Sequence, residues 1–189
     1  MSLPAIDAFT GANGDPLNAT NWAIDTGTWQ IFGNKATPNT GGIFNTARWK
    51  ADTVSADHYA QAKITSSAGG HGGGVIVRIR QADPTNYYVL FVQSDVVSVH
   101  LSRIDSGSEV VLQNITGLTI VDGDLFKLQV SGTTLKAYQN GVQIGSDQAD
   151  GAFATGQPGI FGVSANGELL DDFQADNLAA TSRYILVRR

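Results

Sequence analysis

The chain has 189 residues, 42% of them hydrophobic and 15% charged, with a net charge of −5 and no cysteine. That composition suits one large domain with a true core and excludes a disordered chain, disulfides and thiolate metal sites. No apolar run approaches the ~20 residues a membrane-spanning helix needs, and the acidic balance argues against nucleic acid as a partner.

Met1 to Asp7 has no basic segment followed by an apolar one, so no signal peptide is expected there. Ala5 to Phe9 reads as a short strand, and a loop of turn residues follows it. Trp22 and Trp29 bracket a turn signal, Asp25 to Gly27. Thr28 to Phe32 and Lys35 to Thr37 read as a hairpin around Gly33-Asn34. Ile43 to Trp49 alternates, with Asn45, Ala47 and Trp49 on one face and Phe44, Thr46 and Arg48 on the other. Tyr59, Gln61 and Lys63 alternate against Ala60, Ala62 and Ile64.

The stretch from Gly73 to Arg103 organises the chain. Three runs rich in Val, Ile, Tyr and Phe are separated by two polar turns, which predicts consecutive antiparallel strands. Tyr87 to Val92 is apolar on both faces and belongs at the centre of a covered sheet. Simple alternation in the first run sends Val75, Val77 and Ile79 one way, and Ile76, Arg78 and Arg80 the other. Further strands are expected at Glu109 to Ile115, at Leu125 to Val130, and on either side of Asn140-Gly141, a strong hairpin signal. Gly159 to Ser164 and Leu169 to Ala175 close the domain. About a dozen strands with regular turns and no helical periodicity predict an all-β sandwich or barrel. This domain is expected over residues 1–178. Residues 179–189 form a basic and apolar tail, with Tyr184 to Val187 set between Arg183 and Arg188-Arg189. The three tail arginines have no acid after Asp176, so the remainder of the chain carries −8 against −5 overall.

The order of these signals resembles the concanavalin A-like lectin/glucanase superfamily, a jelly-roll sandwich of two antiparallel sheets that includes laminin-G-like modules. The residues that carry the resemblance are Asp7 to Phe9 with Trp22 and Trp29, Gly74 to Arg78 with Asn86 to Tyr88, Leu135 to Val142, Pro158 to Gly162, and Asp171 to Phe173. The superfamily includes hydrolases, lectins, adhesion modules and structural domains, so the resemblance implies a fold and leaves function open.

The glucanases of that superfamily carry Glu-x-Asp-x-Glu on one strand. This chain has only two glutamates, Glu109 and Glu168, far apart in sequence, and Asp122 and Asp124 flank Gly123 in a turn signal. Hydrolysis by a paired carboxylate is therefore not expected. His58, His71 and His100 lack metal-ligand spacing. The resemblance implies a structural calcium near the chain termini, with Asp7 and Asp172 as its expected ligands and Asp171 as the alternative to Asp172. Trp49, Arg78, Arg80, Tyr87 and Tyr88 are the candidate ligand-binding residues. On one concave face their rings would stack on sugars while the arginines bond hydroxyls; the alternative places Trp49 and one tyrosine in the core.

These readings favour a non-enzymatic glycan-binding, adhesive or structural module. A phage virion surface component fits the tail, which would dock on a neighbouring subunit or pair as an extra strand of its own domain. The alternative is a secreted carbohydrate-active enzyme domain of glucanase-like fold.

Overall fold

The computed structural model describes residues 3–41, 44–65, 72–93, 97–163, 165 and 169–179. The described residues hold fifteen strands and no helix: β1 (Ala5–Asp7), β2 (Trp22–Thr26), β3 (Trp29–Ile31), β4 (Ala36–Pro38), β5 (Asn45–Trp49), β6 (His58–Thr65), β7 (Gly73–Ile79), β8 (Tyr87–Gln93), β9 (Ser98–Asp105), β10 (Ser108–Ile115), β11 (Asp124–Ser131), β12 (Thr134–Gln139), β13 (Val142–Ala149), β14 (Gln157–Gly162) and β15 (Leu169–Asn177). They pair antiparallel in two sheets, forming a jelly-roll β-sandwich. One sheet has the order β10-β9-β8-β7-β14-β5-β2. The other has the order β13-β12-β11-β6-β15-β4-β3, with β1 also paired to β15. His71, Glu168 and residues 180–189 of the tail expected at 179–189 lie outside the described residues.

The three organising runs become β7, β8 and β9, consecutive neighbours in the first sheet. The chain reverses between β12 and β13 at Asn140 and Gly141. Both take positive φ, 50° and 81°, as the tight turn that matches strand twist requires. First and last strands meet, with Asp7 opposite Phe173. Trp22 does more than bracket a turn: it opens β2, and the turn follows at Gly27, where φ is 69°.

Alternation sorts the side chains. Ala60, Ala62 and Ile64 of β6 and Phe126, Leu128 and Val130 of β11 face the first sheet across the main core, meeting Val75, Val77, Tyr88, Leu90 and Val92. At one end the core is aromatic. Trp22 meets Trp49 edge-on at 5.3 Å and Phe173 at 4.9 Å, while Trp49 stacks on Phe173 at 5.9 Å. The two indole N–H groups donate to carboxylates, Trp22 to Asp7 at 2.8 Å and Trp49 to Asp52 at 3.2 Å. Trp49 is fully buried, so it is a core residue and not the exposed ligand platform expected from sequence. The alternation that sets Trp49 beside Ala47 and Asn45 was correct; which face met the second sheet was decided by that sheet.

Truncating Trp49 removes a ring that holds two others in contact. Trp49→Ala is expected to cost about 3–5 kcal/mol of folding stability, read from the midpoint of a urea unfolding curve. A loss below about 1 kcal/mol would mean the aromatic cluster does not anchor the sandwich.

Candidate functional site

One local irregularity of β7 builds the site. In its pairing with β14, Ile76 faces Gly159 and Ile79 faces Gln157, so Val77 and Arg78 together oppose Pro158. This is a β-bulge, and Arg78 sits in the left-handed region with φ 56°. The extra residue resets the alternation. Val77 still faces the main core, but Ile79 joins Ile76 in a second buried apolar cluster on the opposite face of the sheet, with Tyr87, Val89, Phe91, Ile104 and Phe161. Arg78 is corrected from an exposed position to a buried one, only 2% accessible.

A buried guanidinium needs partners, and Arg78 finds them on two loops. Its Nε and Nη2 donate to the Ala56 carbonyl at 3.0 and 2.9 Å, and its Nη1 donates to the Phe153 carbonyl at 2.9 Å. Asp57 supplies the counter-charge at 3.4 Å, and also accepts the Gly132 N–H at 2.8 Å. The backbone N–H of Arg78 donates to His58 Nε2 at 3.3 Å. That acceptor requires the proton of His58 on Nδ1, which donates to the Ser55 carbonyl at 2.8 Å. Burial drives the His58 pKa down to about 4; the Ser55 bond works against that shift, and the Arg78 charge adds to it.

Tyr88, also expected on an exposed face, is buried beside this strut. Its hydroxyl donates to Asp150 Oδ1 at 2.7 Å and accepts the Phe153 N–H at 3.0 Å. Burial, reinforced by Asp150, pushes the phenol up to about 12. Arg78 and Tyr88 thus hold the loop before β14, and Arg78 holds the loop after β5. Gly156 passes against the Arg78 backbone so closely that any Cβ would clash with it.

Those two loops and the β7–β8 connection enclose a cleft of about 410 Å³ at one end of the seven-stranded sheet. Ile79, Val54 and Ala82 form its apolar surface, and Arg80, Gln81, Thr53, Thr155 and Gln157 bring polar groups to it. Arg80 is exposed, and its guanidinium reaches no salt-bridge contact among the described residues, although its charge helps to lower the pKa of nearby Asp83. Gln157 Oε1 is buried and has no hydrogen-bond partner. An exposed guanidinium and an unpartnered carbonyl over an apolar floor match the recognition needs of a polyol with C–H faces. A second cavity of about 380 Å³ lies on the outer face of the same sheet, floored by Tyr87 and Ile104 and walled by Phe44 and Val163; its lining is mainly apolar. Of the five expected ligand residues, then, only Arg80 is exposed, in the mixed cleft, while Trp49, Arg78, Tyr87 and Tyr88 are buried, Tyr87 beneath the apolar cavity. Gln157 and Thr155 had no signal in the sequence, because an amide left without a partner is a property of the folded loop.

The expected calcium ligands separate. Asp172 lies in a bulge of β15 with φ 47° and its carboxylate pairs with Lys63 at 2.7 Å. Asp7 accepts from Trp22 Nε1 and from the Phe9 N–H, both at 2.8 Å. The pair does not fit a shared cation. Asp7 instead lines a polar cavity of about 270 Å³ with Asp15, Asn18 and Asn21. Asn21 is 8% exposed, and its Oδ1 has no hydrogen-bond partner. Hard oxygen donors of this kind fit calcium better than they fit a transition metal.

No protein-family model matches the chain, and no curated protein sequence matches it. Solved structures do. The carbohydrate binding module CBM66 from Bacillus subtilis superposes with a TM-score of 0.70 at 21% identity, over 85% of this chain and 98% of that one. This chain shares its jelly-roll fold. The GH43 BlXynB protein from Bacillus licheniformis aligns with a TM-score of 0.65 at 15% identity, over 92% of this chain but only 39% of its own length. The galectin LEC-6 of Caenorhabditis elegans aligns with a TM-score of 0.51 at 8% identity, over 85% of this chain and 99% of that one.

His58 makes the bulge sensitive to pH. Its ordinary pKa is 6.5 and its folded value about 4, so below pH 6.5 the unfolded chain takes up a proton that the native state refuses. The stabilisation is complete above pH 6.5 and is lost as pH falls towards 4, by about 1.4 kcal/mol per pH unit and ~3 kcal/mol in all. Unfolding free energies between pH 7 and 4 should therefore fall more steeply for the native chain than for His58→Gln. Parallel slopes would show that His58 is not held neutral.

Proposed function

We propose that the chain is a non-catalytic glycan-binding module whose sugar site is the cleft around Arg80. The observation that carries this reading is the exposed guanidinium of Arg80 in one cleft with the unpartnered carbonyl of Gln157, over Ile79 and Val54. Sugars present hydroxyls that both donate and accept and C–H faces that favour an apolar floor, and this cleft offers all three complements. The apolar cavity at Tyr87 offers few hydrogen-bonding groups. The fold shared with a carbohydrate binding module and a galectin supports the reading. Against a hydrolase, Glu109 is engaged by the Ser102 hydroxyl at 2.7 Å, and the GH43 protein is matched over a minor part of its length. Arg80→Ala leaves the buried strut intact. It is expected to weaken binding of whichever oligosaccharide scores highest on a glycan array by about ten-fold or more, the worth of a charged hydrogen bond. An array with no binder, or a variant that binds equally, would refute the assignment.

We propose also that a calcium ion belongs at Asp7, Asp15 and Asn21 rather than at Asp7 and Asp172. The buried Asn21 Oδ1 supports this placement, since it otherwise lacks a partner. A cation bound by the folded state alone raises stability as RT ln(1 + [L]/Kd). Chelator is expected to lower the melting temperature of the native chain and to leave that of Asp15→Asn unchanged. Identical melting curves for the native chain with and without chelator would remove the ion from the account.

A further inference from the structure

The outer face of the eight-stranded sheet carries a second arrangement, remote in the fold from the Arg80 cleft. Register lines up Gln174, Gln61, Lys127, Tyr138 and Gln143 in one row across β15, β6, β11, β12 and β13. Each alternates away from the core. Gln61 donates to Gln174 at 3.0 Å. The ammonium of Lys127 stands over the Tyr138 ring at 4.2 Å and the Tyr59 ring at 5.6 Å.

The charges of this face are unevenly satisfied. Lys63 holds Asp172 at 2.7 Å and Lys136 holds Asp147 at 3.0 Å. Lys127, between them, has two aromatic rings and no carboxylate among the described residues. It is half-buried, and burial lowers its pKa with no acid acting against that shift. An ammonium that is partly desolvated and lacks a counter-ion gains most from an incoming anion. The flanks select which anion. Asp176 lies opposite Tyr59 in the register and Asp172 occupies the neighbouring row, so a densely charged chain meets repulsion on both sides. A single carboxylate on a ring with apolar C–H faces does not: the ring meets the tyrosines, and its hydroxyls meet the Gln61 and Gln174 amides.

We propose that this face is a second binding site, taking the carboxylate of an acidic sugar on Lys127 between Tyr59 and Tyr138. It stands apart from the Arg80 site and does not depend on it.

The test is a titration of the full chain with methyl galacturonide, a uronide with a single carboxylate, followed by amide chemical shifts. The expected result is perturbation of Tyr59 to Lys63 and of Leu125 to Gln129, with affinity falling about ten-fold in Lys127→Gln and several-fold in Tyr138→Leu. Neutral galactotriose is expected not to perturb these residues, and Arg80→Ala is expected to leave the uronide response unchanged, so the two sites fail or hold separately. Absence of perturbation on β6 and β11, or equal affinity in folded Lys127→Gln, would overturn the proposal. So would tetraglutamate binding as well as the uronide, which would reduce the site to charge alone.

Discussion

The bulge at Arg78 is the constraint on which the candidate site depends. One extra residue in β7 turns Ile79 from the main core to the opposite face of its sheet and drives a guanidinium inward. A left-handed residue with a Cβ is costly, and the surroundings offset that cost. His58 accepts the freed backbone N–H, while Ala56, Phe153 and Asp57 satisfy the side chain. The same bonds fix the loops after β5 and before β14. The cleft at Arg80 is therefore shaped by a buried residue two positions away.

The two sheets bury apolar surface in different ways. The eight-stranded sheet is apolar on one face and polar on the other, the pattern of a solvated antiparallel sheet. The seven-stranded sheet is apolar on both faces across β7, β8 and β14, with Phe161 meeting Phe44 at 5.2 Å and Phe91 at 5.2 Å on its outer side. This second cluster stiffens the strand ends that carry the clefts. Beside it on the same outer face, β9 and β10 carry His100, Ser102 and Glu109, which bond among themselves.

Electrostatics follows the same division. Inside, carboxylates serve as acceptors for specific donors: Asp7 for Trp22, Asp52 for Trp49, Asp150 for Tyr88 and Arg103. Pairings of this kind separated Asp7 from Asp172, although β1 and β15 are neighbours. Adjacent strands bring backbones together, yet Asp172, within a bulge of β15, pairs with Lys63 instead. On the surface, Arg80 keeps an exposed cationic head that feels the nearby Asp83 carboxylate without a salt-bridge contact, and Lys127 keeps one with no acid among the described residues; both sit beside apolar or aromatic surface.

The sequence alone determined the fold class. Period-two alternation in β5 and β6, an apolar run in β8 and Asn140-Gly141 between β12 and β13 admit little but an antiparallel sandwich or barrel, because side-chain direction in a strand is set by the backbone itself. Only the tertiary structure decided the rest. Alternation cannot reveal which face is covered, and so Trp49 and Tyr88 read equally well as platform or core. Nor can it reveal a bulge, since the two-residue count opposite Pro158 exists only once β14 pairs with β7. Arg78 changed faces for that reason. The Gln157 carbonyl, the Asn21 carbonyl and the Lys127 ammonium likewise became candidates through what their neighbours left unsatisfied, and a hydrogen-bond vacancy is set by distant segments meeting in space.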